Sequence, residues 1–88
     1  MGRALRPRPK YLAKKLKQIR IALNLSQTEM LIKLGYPADK KEFSSVVSAY
    51  ELNKREPTLI DLLNYAKIYQ IAVESLIDDE KEIPAKLS

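Results

Sequence analysis

The sequence predicts an all-α domain built from five short helices. Apolar residues recur at steps of three and four along most of the chain, the period of a helix with one buried face. Two segments open with a Ser or Thr followed three residues later by an acidic residue, a pattern typical of helix starts. Nothing in the chain has the two-residue period of paired strands. The 88 residues suffice for one such domain and are too few for two.

A basic segment precedes the first predicted helix. Residues 1–10 contain Pro7 and Pro9 among four cations. Proline lacks an amide donor and restricts the residue before it, so this segment cannot continue a helix. We expect a flexible basic arm over residues 1–10, a helical domain over 11–78 and a polar tail over 79–88.

The first helix is predicted from Tyr11 onward, with Asn24 as its stop. Its lysines at positions 14, 15 and 17 are expected on the other faces. The buried stripe consists of Leu12, Leu16, Ile19 and Leu23.

A capping box begins the second helix. Ser26 and Glu29 have the spacing at which each side chain satisfies the other residue's backbone amide. Gly35 is expected to end this helix, because glycine tolerates the left-handed conformation found there. The apolar stripe between them is Met30, Leu31 and Leu34.

The third helix follows a predicted loop over residues 36–43. We expect it to begin at Ser44 or Ser45 and to end at Leu52, with Val47 and Tyr50 pointing inward. Asn53 is the expected left-handed cap.

A second box, formed by Thr58 and Asp61, is predicted to open the fourth helix. The expected buried face of that helix is Leu59, Leu62, Leu63, Ala66 and Tyr69. A last short helix over residues 73–78 is expected to bury Val73, Leu76 and Ile77. The polar tail contains Pro84, and we expect it to be frayed.

Composition excludes several classes of protein. The chain has no Cys and no His, so it can form neither disulfides nor the usual zinc sites, and it lacks the commonest general acid or base. The acidic cluster at residues 78–80 has no partner residues typical of catalysis. No stretch approaches the roughly 20 apolar residues of a membrane span. We therefore expect a cytoplasmic protein that is not an enzyme and uses no metal or cofactor.

Charge is distributed unevenly along the chain. Residues 1–58 hold thirteen Lys and Arg against five Asp and Glu, whereas residues 59–88 hold three against six. Such asymmetry suits a protein that turns one side toward a polyanion. Charge alone is equally compatible with a basic domain that binds nothing anionic.

A further set of residues extends in order over most of the chain, within residues 12–77. Its members are Leu16, Ile19-Arg20, Leu25-Ser26-Gln27, Glu29-Met30-Leu31, Leu34-Gly35, Val47-Ser48, Tyr50-Glu51, Lys54-Arg55, Pro57 and Leu76. In this combination the chain resembles the phage-repressor/Cro type of helix-turn-helix domain and the related xenobiotic-response-element-like bacterial regulators. The resemblance implies a five-helix, lambda-repressor-like fold that binds double-stranded DNA, with helices two and three as the helix-turn-helix. It implies a repressor located with the nucleoid.

The family pattern assigns roles to positions in and around the third helix. In this family the third helix lies in the major groove, and the second crosses the DNA backbone. Positions that would read bases are Ser44, Ser45 and Ala49, with Val46 near a thymine methyl. Without Arg, Asn or Gln among them, direct readout should be modest and DNA shape more important. Phosphate contacts would come from Ser26, Gln27 and Thr28 at the start of helix two and from Lys54 and Arg55 after helix three. The Gln27 side chain could bond to a base edge instead of a phosphate.

Two further regions are candidates for DNA contact. The spacing from Gly35 to Glu51 is longer than is usual in the family, so the turn between helices two and three is lengthened. We hypothesise that Lys40 and Lys41 in that turn contact the backbone or enter the groove; a solvated surface loop is the alternative. Arg6 and Arg8 of the arm resemble side chains that enter an adjacent minor groove, and an arm without any role is the alternative there.

Arg20 and Glu51 match a buried ion pair of the family that links helix one to helix three. Its role would be structural, because it would hold the recognition helix in a fixed orientation. Removing one partner of a truly buried pair costs roughly 3–5 kcal/mol.

Other functions stay open at this point. Antitoxins of toxin–antitoxin pairs share this fold and bind both an operator and a toxin, and Ile32, Ile60 and Ile68 are available for an apolar partner surface. RNA binding is less favoured, because no basic surface interleaved with aromatic residues is apparent. We also expect a homodimer on two half-sites, with helix five and the tail as the contact.

Overall fold

The computed structural model of the chain describes residues 9–37 and 39–84. Over these residues the predicted all-α class is confirmed, and no strand occurs in them. A single turn of 3₁₀ helix, Lys41–Phe43, lies in the segment that we predicted to be loop. The five α-helices are α1 (Leu12–Ala22), α2 (Gln27–Lys33), α3 (Val46–Glu51), α4 (Leu59–Tyr69) and α5 (Glu74–Ile77).

The helices pack around α1, which contacts α3, α4 and α5, while α2 packs against α3. The predicted stripes of α1 and α2 are buried, apart from Leu23, which lies at the edge of the core. Val47, Tyr50 and Leu76 point inward as expected. The largest fully buried side chains are Tyr50, Tyr65, Leu16, Ile19, Met30, Leu76 and Val47.

The first four helices end in the same left-handed turn. Asn24, Gly35, Asn53 and Gln70 all have positive φ, between 60° and 100°. After α3, for example, the amide of Asn53 donates to the carbonyl of Tyr50 and that of Lys54 to Ala49. This paired arrangement satisfies carbonyls that a helix end otherwise leaves without partners. The stops predicted at Asn24, Gly35 and Asn53 are thus confirmed, whereas Gln70 gave no comparable signal.

The two predicted capping boxes differ. At α2 the box is complete: the Glu29 amide donates to the Ser26 hydroxyl at 3.0 Å, and the Ser26 amide donates to the Glu29 carboxylate at 2.7 Å. At α4 only half forms, because the Thr58 hydroxyl accepts from the Asp61 amide at 3.1 Å. The Asp61 carboxylate points inward to other partners and does not bond to the Thr58 amide. The prediction of a second complete capping box is therefore wrong.

The buried face of α4 is only partly as predicted, since Ala66 and Tyr69 are buried and Leu62 is half-buried. Leu59 and Leu63 are 69% and 47% exposed, whereas Asp61 and Tyr65 are buried. An apolar pattern misassigns this face because it counts Asp61 as a solvent residue, although its hydrogen bonds allow burial. In α5, Ile77 is likewise 44% exposed rather than buried.

Lys15 is buried rather than solvated. Its ammonium group donates to the carbonyls of Ser75 and Asp78, at 2.8 Å each. Both carbonyls lie at the C-terminal end of α5, where unpaired carbonyls and the helix dipole favour a cation. The hydrogen bonds explain why a lysine can lie between α1 and α5.

The start of the predicted tail packs on the domain. Ile83 is buried, and the Tyr69 hydroxyl donates to the carbonyl of Pro84 at 3.1 Å. The Asp79 carboxylate accepts from the backbone amides of Lys10 and Tyr11 at 2.9 and 3.2 Å. The prediction of a frayed tail is therefore wrong for residues 79–84; residues 85–88 lie outside the described part of the chain.

Candidate nucleic-acid interface

The outer side of α3 consists of small and apolar side chains. Ser45 and Leu52 are exposed, and Ser48 and Ala49 are half-buried. Positions 45, 48, 49 and 52 are spaced by three and four residues, so they lie on one side of the helix. Ser44 is also exposed, immediately before the helix. The sequence pattern did not assign Ser48 to this outer side, although a buried Val47 and Tyr50 imply that position 48 lies toward it.

Val46 does not belong to this surface. It is only 3% exposed and packs in the core with Val47. The predicted contact of Val46 with a thymine methyl is therefore wrong for this conformation. The helix begins at Val46, later than predicted, because the 3₁₀ turn and Ser44 and Ser45 precede it. Because the turn before α3 is lengthened, the sequence pattern could not locate the first residue of this helix.

Arg20 and Glu51 form the expected ion pair between α1 and α3. Nε of Arg20 donates to Oε2 of Glu51 at 2.7 Å, and Nη2 donates to Oε1 at 3.1 Å. Their side chains are 14% and 3% exposed. A third donor, Nη1 of Arg20, reaches the carbonyl of Leu25 at 2.9 Å. The bond to Glu51 raises the pKa of Arg20 above its ordinary value.

Gln27 joins the same network. Its side-chain amide donates to Oε1 of Glu51 at 3.1 Å, while the residue is exposed. Gln27 therefore links the first turn of α2 to the last turn of α3, a contact that sequence reasoning did not foresee. Ser26 and Thr28 are exposed beside it, but the capping box already engages the amides of Ser26 and Glu29. The first turn of α2 thus has fewer amides to offer a phosphate than we expected.

A second polar network approaches α3 from the side of α4. The Asp61 carboxylate, 3% exposed, accepts from the Tyr50 hydroxyl at 2.5 Å and from the Tyr36 hydroxyl at 2.7 Å. Burial, reinforced by the bond to Asp61, raises the pKa of both tyrosines. Both hydroxyls therefore stay protonated near neutral pH and remain donors. No motif in the sequence indicated this cluster.

The lengthened turn between α2 and α3, described over residues 34–37 and 39–45, packs against α4 through Tyr36. The rings of Tyr36 and Phe43 lie 5.2 Å apart between centroids, inclined at 48°. The Ser44 hydroxyl donates to the carbonyl of Lys41 at 2.8 Å, which ties the turn to the start of α3. Lys40 and Lys41 are exposed, and so are their acidic neighbours Asp39 and Glu42.

Two more cations follow α3. Lys54 and Arg55 are exposed, and both of their backbone amides donate to the carbonyl of Ala49, at 2.9 and 3.3 Å. Their backbones are thus fixed against the last turn of α3, while their side chains reach solvent.

The basic arm is described only from Pro9 onward, so Arg6 and Arg8 lie outside the described residues. The arm's point of attachment is defined, because Asp79 holds the amides of Lys10 and Tyr11. This contact lowers the pKa of Asp79, chiefly through the Lys10 amide.

The exposed groups in and around α3 are hydroxyls, a carboxamide, an apolar side chain, cations and the carboxylates of Asp39 and Glu42. Across residues 9–37 and 39–84 no three acidic side chains come together as a metal site, and no helix there is long and apolar enough to cross a membrane. No protein-family model matches the chain, and no curated protein or solved structure is significantly similar to it.

Proposed function

We propose that this chain is a sequence-specific regulator of transcription, a repressor, that binds double-stranded DNA. In this proposal α2 and α3 form a helix-turn-helix of the lambda-repressor-like kind. The outer side of α3 enters the major groove, which accommodates one α-helix, and α2 crosses the backbone.

The observation that carries this proposal is the two-point bond between Arg20 and Glu51, joined by Gln27. It attaches the last turn of α3 to both α1 and α2. A helix of six residues is marginal by itself, so its direction must be set by such tertiary contacts. A recognition element needs a fixed direction, because small displacements move its side chains away from the base edges.

Electrostatics favour the same use of this surface. Exposed cations lie on both sides of α3 along the chain, Lys40 and Lys41 before it and Lys54 and Arg55 after it. Cations that flank a groove-binding helix can neutralise phosphates on either side of the groove. Residues 59–88, by contrast, hold three Lys and Arg against six Asp and Glu.

The side chains on the outer side of α3 favour weak direct readout. Ser44 and Ser45 can hydrogen-bond to several bases, and Ala49 can contact only a methyl group. Leu52 adds an apolar contact. Sequence preference in this proposal therefore comes mainly from the shape and deformability of the duplex.

The test is selection of sites from a pool of random duplexes, followed by affinity measurements on the selected site across a range of salt concentrations. We expect a recoverable consensus. In a Lys54→Gln, Arg55→Gln variant, binding to selected and unrelated duplexes should weaken alike. The slope of log affinity against log salt should fall by about 0.9 for each phosphate contact that is lost.

The matched control is Lys67→Gln, which removes an exposed cation from the acidic half of the chain. It should leave both affinity and slope unchanged. Failure of the wild-type protein to retain any duplex at low salt would reject the proposal, and so would equal effects of the Lys54/Arg55 and Lys67 variants.

An antitoxin that also binds a protein partner is the second candidate. The observation in its favour is apolar exposure on α4: Leu59, Ile60 and Leu63 are 69%, 70% and 47% exposed within little more than one turn. Apolar side chains exposed close together on a soluble protein are typical of an interaction surface. A homodimer is also proposed, but with α4 as its contact rather than the tail, because Ile83 of the tail is buried against its own domain.

Mass measurement in solution distinguishes these uses of α4. If α4 forms the homodimer, a Leu59→Ser, Ile60→Ser variant should be monomeric while the wild type is dimeric. A monomeric wild-type protein, together with a toxin-like gene adjacent to its own, would favour the antitoxin.

A further inference from the structure

The lengthened turn between α2 and α3 is anchored to α4 by a specific set of contacts. The Tyr36 hydroxyl donates to the buried carboxylate of Asp61 at 2.7 Å. The Tyr36 ring packs on Phe43, the last residue of the 3₁₀ turn. The turn is thereby held at its beginning and at its end by the same tyrosine.

Backbone and hydroxyl bonds connect this anchor to the lysines. The Phe43 amide donates to the carbonyl of Lys40 at 3.2 Å, and the Ser44 amide donates to that of Lys41 at 3.1 Å. The Ser44 hydroxyl reaches the same Lys41 carbonyl. Lys40 and Lys41 therefore have backbones in a defined position directly before α3, with exposed side chains.

A simple structural role does not account for every feature of this cluster. Tyr50 alone would satisfy one lone pair of the Asp61 carboxylate and join α3 to α4. Tyr36 is only half-buried, so its hydroxyl could bond to water instead. The bond to Asp61 restricts the Tyr36 side chain, which costs conformational entropy, and it orders a turn at the surface.

We propose that Asp61, acting through Tyr36, is a positioning residue that orders the turn so that Lys40 and Lys41 contact the DNA backbone beside α3. An ordered turn binds more tightly than a mobile one, because the entropy of fixing the lysine backbones has already been spent during folding. The neighbouring carboxylates of Asp39 and Glu42 limit where a phosphate can approach, so the position of the turn matters. This proposal rests on the DNA-binding function proposed above.

The test is a double-mutant cycle on the selected duplex. Tyr36→Phe removes only the hydroxyl that reaches Asp61 and keeps the ring on Phe43. We expect it to lower affinity by about three- to tenfold in the wild-type background. In a Lys40→Gln, Lys41→Gln background it should have no further effect, because the contacts that it positions are already absent. The lysine variant itself should reduce the salt slope by about 0.9 for each lost contact.

Hydrogen exchange gives a readout that does not involve DNA. In Tyr36→Phe the amides of Phe43 and Ser44 should exchange faster, while those in the middle of α1 should be unchanged. Tyr11→Phe is the matched control, because it also removes only a hydroxyl. Tyr11 is 50% exposed and lies at the start of α1. This variant should alter neither exchange nor affinity.

Each outcome has one meaning. An equal loss of affinity from Tyr36→Phe in both backgrounds would show a general effect on the fold and overturn the proposal. So would unchanged exchange at Phe43 and Ser44. Normal DNA binding by the Lys40/Lys41 variant would overturn the proposal and leave the proposed function intact, whereas wild-type protein that binds no duplex would reject both.

Discussion

Two polar networks meet at the last turn of α3, and they are built differently. Glu51 points toward α1 and binds a permanent cation, Arg20, at two points. Tyr50, its neighbour in the chain, points toward α4 and donates to Asp61, whose described partners are neutral hydroxyls and not cations. Adjacent residues thus attach one short helix to opposite sides of the domain.

Together the two networks explain how a six-residue helix can hold a fixed direction. The ionic network joins α3 to α1 and, through Gln27, to α2. The phenolic network joins α3 to α4 and to the lengthened turn. We therefore expect the ionic network to matter most for the fold as a whole and the phenolic network to govern the turn.

The largest expected effect follows from breaking the ionic network. Glu51→Ala leaves the Arg20 guanidinium, 14% exposed, without its carboxylate. The free energy of unfolding should fall by roughly 3–5 kcal/mol, with a parallel loss of DNA affinity. Denaturant titration followed by circular dichroism measures the change, and Glu82→Ala, at an exposed position, is the control. An unchanged midpoint would show that the pair contributes nothing.

The second prediction compares two buried tyrosines. Tyr50→Phe removes a hydrogen bond to a buried carboxylate and should cost about 1.5–3 kcal/mol of stability. Tyr65 is equally buried, but its hydroxyl has no hydrogen-bond partner among the described residues. Tyr65→Phe should therefore be neutral or stabilising. Equal destabilisation by the two variants would contradict the structure of the phenolic network.

Alkaline pH should weaken the phenolic network selectively. Burial and Asp61 raise the pKa of Tyr36 and Tyr50 above the ordinary value of 10.0. A group whose pKa is higher in the folded than in the unfolded state contributes stability that is fully present below its unfolded-state pKa. That stability is lost as the pH rises through its folded-state pKa. Unfolding free energy should thus decline above about pH 10, and less steeply in a Tyr36→Phe, Tyr50→Phe variant. If the unfolding free energies of wild type and variant declined identically with pH, the two tyrosines would not be the cause of the decline.

The smallest expected effect concerns Asp79, outside both networks. Its bonds to the amides of Lys10 and Tyr11 lower its pKa below the ordinary 3.8. A lowered pKa contributes stability above the unfolded value, and that stability is lost as pH falls through the folded value. Asp79→Asn should therefore be slightly less stable than wild type at neutral pH, with the difference shrinking in acid. A constant difference down to about pH 2 would contradict this linkage.

Sequence patterns predicted those parts of the molecule that depend on local interactions. The capping box of Ser26 and Glu29 and the stops at Gly35 and Asn53 involve residues a few positions apart, so their spacing is sufficient. The Arg20–Glu51 pair is a long-range contact, and it was predicted only through the family resemblance.

Buried polar side chains were the main source of error. Asp61 has the same local spacing to Thr58 as Glu29 has to Ser26, yet its carboxylate finds tertiary partners that no local pattern reveals. Lys15 is buried for the same reason, since its carbonyl partners lie sixty or more residues away. Val46 was wrongly predicted to be exposed. The lengthened turn shifts the start of α3, so counting positions from the family pattern no longer shows which residues of this helix face outward.

The most direct test of the proposed function is an amide chemical-shift titration of the protein with the duplex recovered by selection. We expect the largest shifts on Ser45, Ala49 and Leu52 and on Lys40 and Lys41, with little change at Leu59 and Leu63. A titration in which the shifts concentrate on the exposed side of α4, or in which an unrelated duplex gives the same pattern with equal affinity, would contradict it.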